Sequence, residues 1–165
     1  MRLANHCNVA VVVAAPGHSH KHNMSEHAGT CTISERFPSR LGAHHRTLEQ
    51  ILTHLRRLKW SDEDVFGIHM ALEESLTNAI HHGNGLDEAK YVEFECRIGP
   101  SELWAQIRDE GEGFKPDEVP DPTDDDHLEI PGGRGLMLMR AYMTDVRYND
   151  AGNCVTMVKR LSPEQ

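Results

Sequence analysis

A carboxylate and a carboxamide lie four positions apart in residues 71–84, which read ALEESLTNAIHHGN. If this stretch is helical, Glu74, Asn78 and His82 share one face and the apolar residues fall on the other. Side chains of these types suit two tasks, because a carboxylate can accept a hydroxyl proton and an amide oxygen can ligate a hard divalent cation. The same pattern is also the ordinary solvent face of an amphipathic helix, so the helix alone does not decide between the two interpretations.

A second candidate group lies at the end of a predicted strand, residues 102–109. By the two-residue period of a strand, Asp109 shares a face with the apolar residues at 103, 105 and 107. A carboxylate that continues an inward apolar row is costly if it is unpaired. Either Asp109 reaches solvent where the strand ends, or a ligand or ordered water satisfies it. Glycines follow directly, at Gly111 and Gly113.

A third group is a glycine-rich turn, Gly-Gly-Arg-Gly at residues 132–135, ahead of a predicted apolar helix at 136–143. Bare backbone N–H groups at a helix N-terminus can bind an anion. Arg134 can add a charged donor, although a solvent-facing arginine explains it equally well. The preceding residues, 115–131, hold four prolines and seven acidic residues. A loop of this length inside a compact domain is typical of a lid or a binding segment.

Hydrophobic periodicity predicts the elements that position these groups. We expect a strand at residues 31–38 at a sheet edge, helices at 41–58 and 62–83, a hairpin of strands at 90–98 and 102–109, the helix at 136–143, and strands at 145–148 and 154–161. His44 and His45 are predicted to be exposed. Residues 1–29 lack a period, so we predict a mobile His-rich tail ahead of one domain at residues 30–165. The alternating His18, His20 and His22 of this tail could bind a metal adventitiously.

Composition limits the partners and the compartment. The formal charge is -9, with 26 acidic residues against 17 lysines and arginines, and there is no basic block. Nucleic acid is therefore an unfavourable partner. The four cysteines form no CxxC pair, which favours reduced thiols in the cytoplasm. The apolar run at residues 9–15 is too short to span a bilayer, although it also has some features of a weak secretion signal.

In their order along the chain, the three groups resemble the N, G1 and G2 boxes of the GHKL ATP-binding superfamily, which includes gyrase, Hsp90, histidine kinases and MutL. The matching segments read ESLTNAIHHG from Glu74, DEGEGF from Asp109, GRGL from Gly133 and VKR from Val158. Within this superfamily the chain is most similar to anti-sigma factor serine kinases of the RsbW and SpoIIAB type. The resemblance covers about residues 31–161.

The resemblance implies the fold and the site. The fold would be an α/β two-layer sandwich of the GHKL (Bergerat) kind, a mixed, largely antiparallel sheet with helices on one face. Glu74 would be the catalytic base, and Asn78 would hold Mg²⁺. Asp109 would accept the adenine amino group. The full set of residues implied to bind ATP and Mg²⁺ is Asn78, His82, Asp109, Gly111, Gly113, Phe114, Gly133, Arg134, Gly135 and Leu136.

The resemblance also implies the partners. The protein would be a cytoplasmic homodimer that phosphorylates a STAS-domain antagonist on serine and sequesters a sigma factor, with no nucleic-acid or membrane partner. An ATP/ADP-gated binding module with negligible turnover is the alternative. A histidine-kinase catalytic domain would need a phosphoacceptor hairpin, and a topoisomerase or chaperone would need large transducer domains, neither of which these 165 residues provide.

Two departures from the family pattern concern the partners and the phosphates. The family often carries an acidic residue directly after the methionine of its G2 helix, whereas here Thr144 follows Met143. The predicted lid has no basic residue besides Lys115. Arg134 is the remaining candidate to meet the γ-phosphate.

Overall fold

Six strands form one sheet, and three α-helices pack on one of its faces. The computed structural model describes residues 21–27, 29–113 and 133–161. The strands lie in the order β1-β2-β3-β4-β6-β5. Their bounds are Lys21–His27 (β1), Thr30–Pro38 (β2), Tyr91–Ile98 (β3), Glu102–Arg108 (β4), Asp145–Tyr148 (β5) and Cys154–Arg160 (β6). The helices are His45–Arg57 (α1), Asp62–Asn78 (α2) and Gly133–Tyr142 (α3), with a π-helical turn, Ala79–Gly83, directly after α2.

The predicted α/β two-layer sandwich is confirmed. All five strand pairings are antiparallel, so the described strands contain none of the parallel pairing that a mixed sheet would have. Short turns join β1 to β2, β3 to β4 and β5 to β6, and a short connection imposes antiparallel pairing. The described part of the chain contains no helix that meets the length and hydropathy needed to cross a membrane.

The strand β1 falls inside the tail predicted at residues 1–29. Its residues, Lys21–His27, pair in register with β2, so this part of the predicted tail belongs to the sheet, while residues 1–20 and 28 lie outside the described residues. As a result β2 is an inner strand rather than the predicted edge. An edge strand presents a row of free backbone groups, and a preceding segment can pair with it without any hydrophobic pattern of its own.

The helix α1 begins at His45, four residues after the predicted start. Its inner face buries Leu48, Ile51 and Leu55, as the spacing predicted. Leu41 lies before the helix and is 69% exposed. The prediction that His44 is exposed is wrong, because its ring is 3% exposed and its Nε2 lies 3.0 Å from Glu73 Oε1.

The helix α2 starts where the sequence predicts. Ser61 caps it, since the Ser61 Oγ accepts a hydrogen bond from the Asp64 backbone N–H at 3.0 Å. The predicted end at Gly83 is also confirmed, although the last five residues form a π-helical turn. That turn is closed by the Asn84 N–H, which donates to the Ala79 carbonyl at 2.9 Å.

The helix α3 packs against α2 through small and sulfur-containing side chains. The Ser75 Oγ lies 2.7 Å from Met139 Sδ and 3.3 Å from Met157 Sδ, which joins α2, α3 and β6. Gly67 faces the ring of Tyr142 so closely that a Cβ there would lie 2.8 Å from a ring carbon. Because α3 begins at Gly133, Gly133 and Gly135 of the predicted turn lie in the first turn of the helix, and Gly132 lies outside the described residues.

Leu76 tests how strongly α2 depends on this packing. It is fully buried between the sheet and the helices. We expect Leu76→Ala to lower the free energy of unfolding by about 2–5 kcal/mol, because the lost burial is accompanied by a cavity. Urea denaturation followed by circular dichroism measures the change. The matched control is Leu41→Ala at the exposed turn, where we expect a change within about 0.5 kcal/mol. Equal losses in both variants would contradict the assigned packing.

Candidate nucleotide site

The helix α2 places two of the predicted site residues side by side. The Asn78 Nδ2 donates a hydrogen bond to Glu74 Oε1 at 2.9 Å, and both side chains are half-buried. Since the amide nitrogen faces Glu74, the amide oxygen is the atom left to ligate a cation. The first turn of α3 lies directly against this pair, and a Cβ at Gly135 would collide with Glu74 Oε1. Glycine at this position therefore lets the carboxylate and α3 approach each other.

A second carboxylate lies where β4 ends. The Asp109 Oδ1 accepts the Gly111 N–H at 2.9 Å, and the Asp109 N–H donates to the Asn153 carbonyl at 3.0 Å. A Cβ at Gly83 would collide with the Asp109 carboxylate, and one at Gly111 would collide with the Gly83 carbonyl oxygen. The end of α2 and the end of β4 thus meet through backbone and a single carboxylate.

Burial raises the pKa of Asp109 above its usual range, and this outweighs the opposing effects of its backbone hydrogen bonds and of Lys90. The ionised form is disfavoured because the loss of water on burial outweighs these favourable interactions. Of the two alternatives predicted for Asp109, full exposure to solvent is wrong, because the carboxylate is half-buried. A hydrogen-bond donor from a ligand would stabilise it.

The segment after Asp109 is shaped by a close backbone contact. Gly113 has φ of 76°, in the left-handed region, and a Cβ there would collide with the Ala151 carbonyl oxygen. The turn that carries Ala151 is held by the Asn149 Oδ1, which accepts the backbone N–H groups of Asn153 and Cys154 at 3.1 Å each. The positive φ and the close contact with Ala151 each require glycine at position 113.

Asn84, directly after the predicted end of the helix at residue 83, positions the two halves of the site. Its side chain is buried, and its Nδ2 donates to Ser39 Oγ at 2.6 Å and to the Tyr91 carbonyl at 2.9 Å. Its Oδ1 accepts the Glu110 N–H at 2.7 Å. These bonds connect the end of α2 to β3 and to the residue after Asp109. The partners are distant in sequence, so no local spacing could have identified them.

Tyr148 is a second residue that sequence reasoning missed. Burial raises its pKa to about 12, and the negative charges of Glu74 and Asp109 add to the effect, while Arg140 opposes it. The charges of Glu74 and Asp109 therefore both act on one phenol at the end of β5.

The remaining predicted site residues are placed as follows. Gly133 starts α3, and Leu136 is buried in its second turn. His82 is exposed in the π-helical turn, with its ring centroid 6.2 Å from that of His81. Phe114, the predicted lid at residues 115–131 and the side chain of Arg134 lie outside the described residues.

An antiparallel sheet with helices on one face, and a glycine-lined carboxylate between helix and strand, defines a GHKL-type nucleotide-binding domain. Residues 37–159 match the family model of the histidine kinase-like ATPase domain. The chain belongs to this family, and the predicted superfamily is confirmed. Family membership implies that the chain binds ATP.

Several characterised proteins are similar to this chain. The serine-protein kinase RsbW of Oceanobacillus iheyensis is 27% identical over 134 residues, which cover 78% of this chain and 83% of that protein. The serine/threonine-protein kinase BtrW of Bordetella bronchiseptica is 28% identical over 112 residues, covering 66% and 79%. The anti-sigma F factor of Clostridium perfringens (strain 13 / Type A) is 30% identical over 105 residues, covering 61% and 75%. The predicted resemblance to anti-sigma factor kinases is confirmed.

The residues present fit an adenine nucleotide. Asp109 is a half-buried acceptor, and its burial raises its pKa above the usual range. Gly83 and Gly111 leave the backbone beside it bare of side chains. At the other end of the site, the Asn78 amide offers the oxygen ligand that Mg²⁺ prefers, and the Glu74 carboxylate beside it can accept a proton.

Asp109→Asn tests the adenine end. The Asn oxygen would keep the Gly111 N–H, which places the amide nitrogen where an adenine amino group would also donate. We expect ATP affinity to fall by about 10- to 150-fold, the equivalent of losing a hydrogen bond of ~1.5–3 kcal/mol to a charged group. Isothermal titration calorimetry measures the affinity. The control is Asp150→Asn, an exposed aspartate in the turn after β5. Unchanged affinity in Asp109→Asn would contradict the assigned acceptor.

The same variant should stabilise the protein without nucleotide. Because the folded-state pKa of Asp109 is raised, its contribution to stability is fully present below the unfolded pKa and is lost as pH rises through the folded pKa. Asn has no charge to bury. We therefore expect the melting temperature of Asp109→Asn to exceed that of the wild type near neutral pH, and the difference to shrink toward pH ~3.5. A difference that does not vary with pH would exclude the ionised carboxylate as its cause.

Proposed function

We propose that this protein is a protein-serine kinase and anti-sigma factor-like regulator. It would phosphorylate a STAS-domain antagonist with ATP and Mg²⁺ and would sequester a sigma factor when the antagonist is phosphorylated. The observation that carries the proposal is the Glu74 carboxylate, held by Asn78 and placed against the first turn of α3. The names of the similar proteins, which include serine-protein kinases and an anti-sigma factor, support it. A cytoplasmic homodimer belongs to the same proposal.

Each residue then has a role that follows from its chemistry. Asp109 accepts the adenine amino group, and the backbone at Gly111 and Gly113 approaches the base and ribose. When bound, Mg-ATP supplies the transferable phosphoryl group and the positive charge that neutralises it. The Asn78 amide oxygen holds Mg²⁺, and the N–H groups at the start of α3 donate to phosphate oxygens. Glu74 accepts the proton of the attacking serine hydroxyl.

The alternative is an ATP/ADP-gated binding module with negligible turnover. Such a module needs only a difference in partner affinity between its nucleotide states. Glu74 favours the kinase, because a pure binding module needs no base beside the cation site. Its hydrogen bond to Asn78 also holds the carboxylate in place, which a solvent-facing residue would not require.

Glu74→Gln separates the two functions. The amide keeps the shape of the side chain and removes the base, so we expect ATP binding to be little changed and phosphotransfer to fall by about 10²- to 10⁴-fold. The measurement is transfer of labelled γ-phosphate to STAS-domain proteins from the same genome. Glu63→Gln, in the exposed first turn of α2, is the control. Retained transfer in Glu74→Gln would remove Glu74 from the mechanism, and tight ATP binding without transfer by the wild type would favour the binding module.

Gly135→Ala tests the contact between α3 and the base. The added methyl group would displace the Glu74 carboxylate from Asn78, whereas alanine in a helix is favoured over glycine by about 1 kcal/mol. We therefore expect slower phosphotransfer with no loss of melting temperature. Gly99→Ala is the matched control, since a Cβ there lies 3.4 Å from the nearest atom, the Glu102 carbonyl oxygen. Wild-type transfer rates in Gly135→Ala would show that the contact does not position Glu74.

A further inference from the structure

Three potential metal ligands converge away from the nucleotide site, where the start of α1 meets the middle of α2. The Nε2 atoms of His44 and His45 lie 3.0 and 3.8 Å from the same oxygen, Glu73 Oε1. One ligand atom from each of the three residues lies within 4.8 Å of the others. The two imidazole rings are packed edge to face, with centroids 4.7 Å apart and an interplanar angle of 76°.

These distances suit a small divalent ion. Two ligand atoms bonded to a tetrahedral Zn²⁺ at about 2.0–2.1 Å lie roughly 3.3–3.4 Å from each other. The two observed nitrogen-to-oxygen distances, 3.0 and 3.8 Å, lie on either side of this value. Imidazole nitrogen together with a carboxylate oxygen is a ligand set for Zn²⁺, Co²⁺, Ni²⁺ or Cu²⁺, whereas Mg²⁺ and Ca²⁺ prefer oxygen alone.

A simple ion pair between His44 and Glu73 does not account for the arrangement. The ring of His44 is buried, and among the described residues its Nδ1 has no hydrogen-bond partner. This nitrogen is not one of the three converging atoms; the ligand site is indicated instead by the two Nε2 atoms that face the same carboxylate oxygen, which a single ion pair does not require. His45 is exposed on its outer side, with its side chain at 66% of full accessibility, so an ion could enter and keep a water ligand.

We propose that His44, His45 and Glu73 bind one divalent transition-metal ion of the Zn²⁺ class. The ion would link the start of α1 to α2. Its ligand on α2, Glu73, directly precedes Glu74. The site is independent of the proposed kinase function, because none of its three residues belongs to the nucleotide site.

Zn²⁺ titration of the untagged full chain tests the proposal. Isothermal titration calorimetry at about pH 7.5, where most imidazoles are neutral, measures the affinity. The test variants are His45→Asn and Glu73→Gln, because neither side chain is buried. Circular dichroism checks that both variants fold. The control replaces the tail histidines His18, His20 and His22 by Asn. Absorption of the Co²⁺-loaded protein reports the ligand geometry separately.

We expect one Zn²⁺ per chain in the wild type and in the tail control. Each test variant should weaken the binding by about tenfold or more, since even residues that only orient metal ligands change affinity by about 10- to 100-fold. The melting temperature of the wild type should rise with Zn²⁺, and that of the two folded test variants should not. Zn²⁺ affinity that is unchanged in both test variants, or lost only in the tail control, would overturn the proposal and leave an ion pair at this position.

Discussion

The structure depends on a close contact between the end of the helix at Gly83 and the segment that follows β4 at Gly111. No Cβ fits at Gly83 or Gly111, and the Asp109 carboxylate fills the space that remains. This approach fixes the helix that carries Glu74 and Asn78 relative to the strand that delivers Asp109. Asn84 holds it in place with three hydrogen bonds to the surrounding backbone and to Ser39. A single added methyl group here would separate the two ends of the site.

The buried carboxylate at this contact lowers the stability of the protein without nucleotide. A loss of stability of this kind is typical of a ligand-binding site. Burial of Asp109 raises its pKa, so the protein without nucleotide retains a carboxylate whose ionised form is disfavoured, although it accepts the Gly111 N–H. The α-helix also gives way to the π-helical turn Ala79–Gly83, and such turns are common at functional sites. A ligand that donates to Asp109 would recover the lost free energy, which is how a binding site trades stability for affinity.

The sequence allowed the helices, the hairpin and the inward row ending at Asp109 to be predicted, because each depends on spacings of two to four residues. The parts that it could not reveal depend on partners far away in the chain. The buried His44 contacts Glu73, 29 positions later, and Asn84 donates a hydrogen bond to Ser39, 45 positions earlier. Strand β1 has no amphipathic pattern and exists because β2 offers it an edge. Tyr148, whose pKa the charges of Glu74 and Asp109 raise, is positioned by the pairing of β5 with β6 at the end of the sheet.

The two ends of the site are supported differently, which bears on how the proposed switch would work. The Asp109 end rests on strands and on the Asn84 hydrogen bonds. The Glu74 end rests on the packing of α2 against α3, through Gly67 on Tyr142 and Ser75 on Met139. In the proposed function, the start of α3 binds phosphate, and Gly135 in that turn lies directly against Glu74. A change at the phosphates would therefore reach the base through one contact, because close-packed atoms transmit small displacements without an intermediate gap.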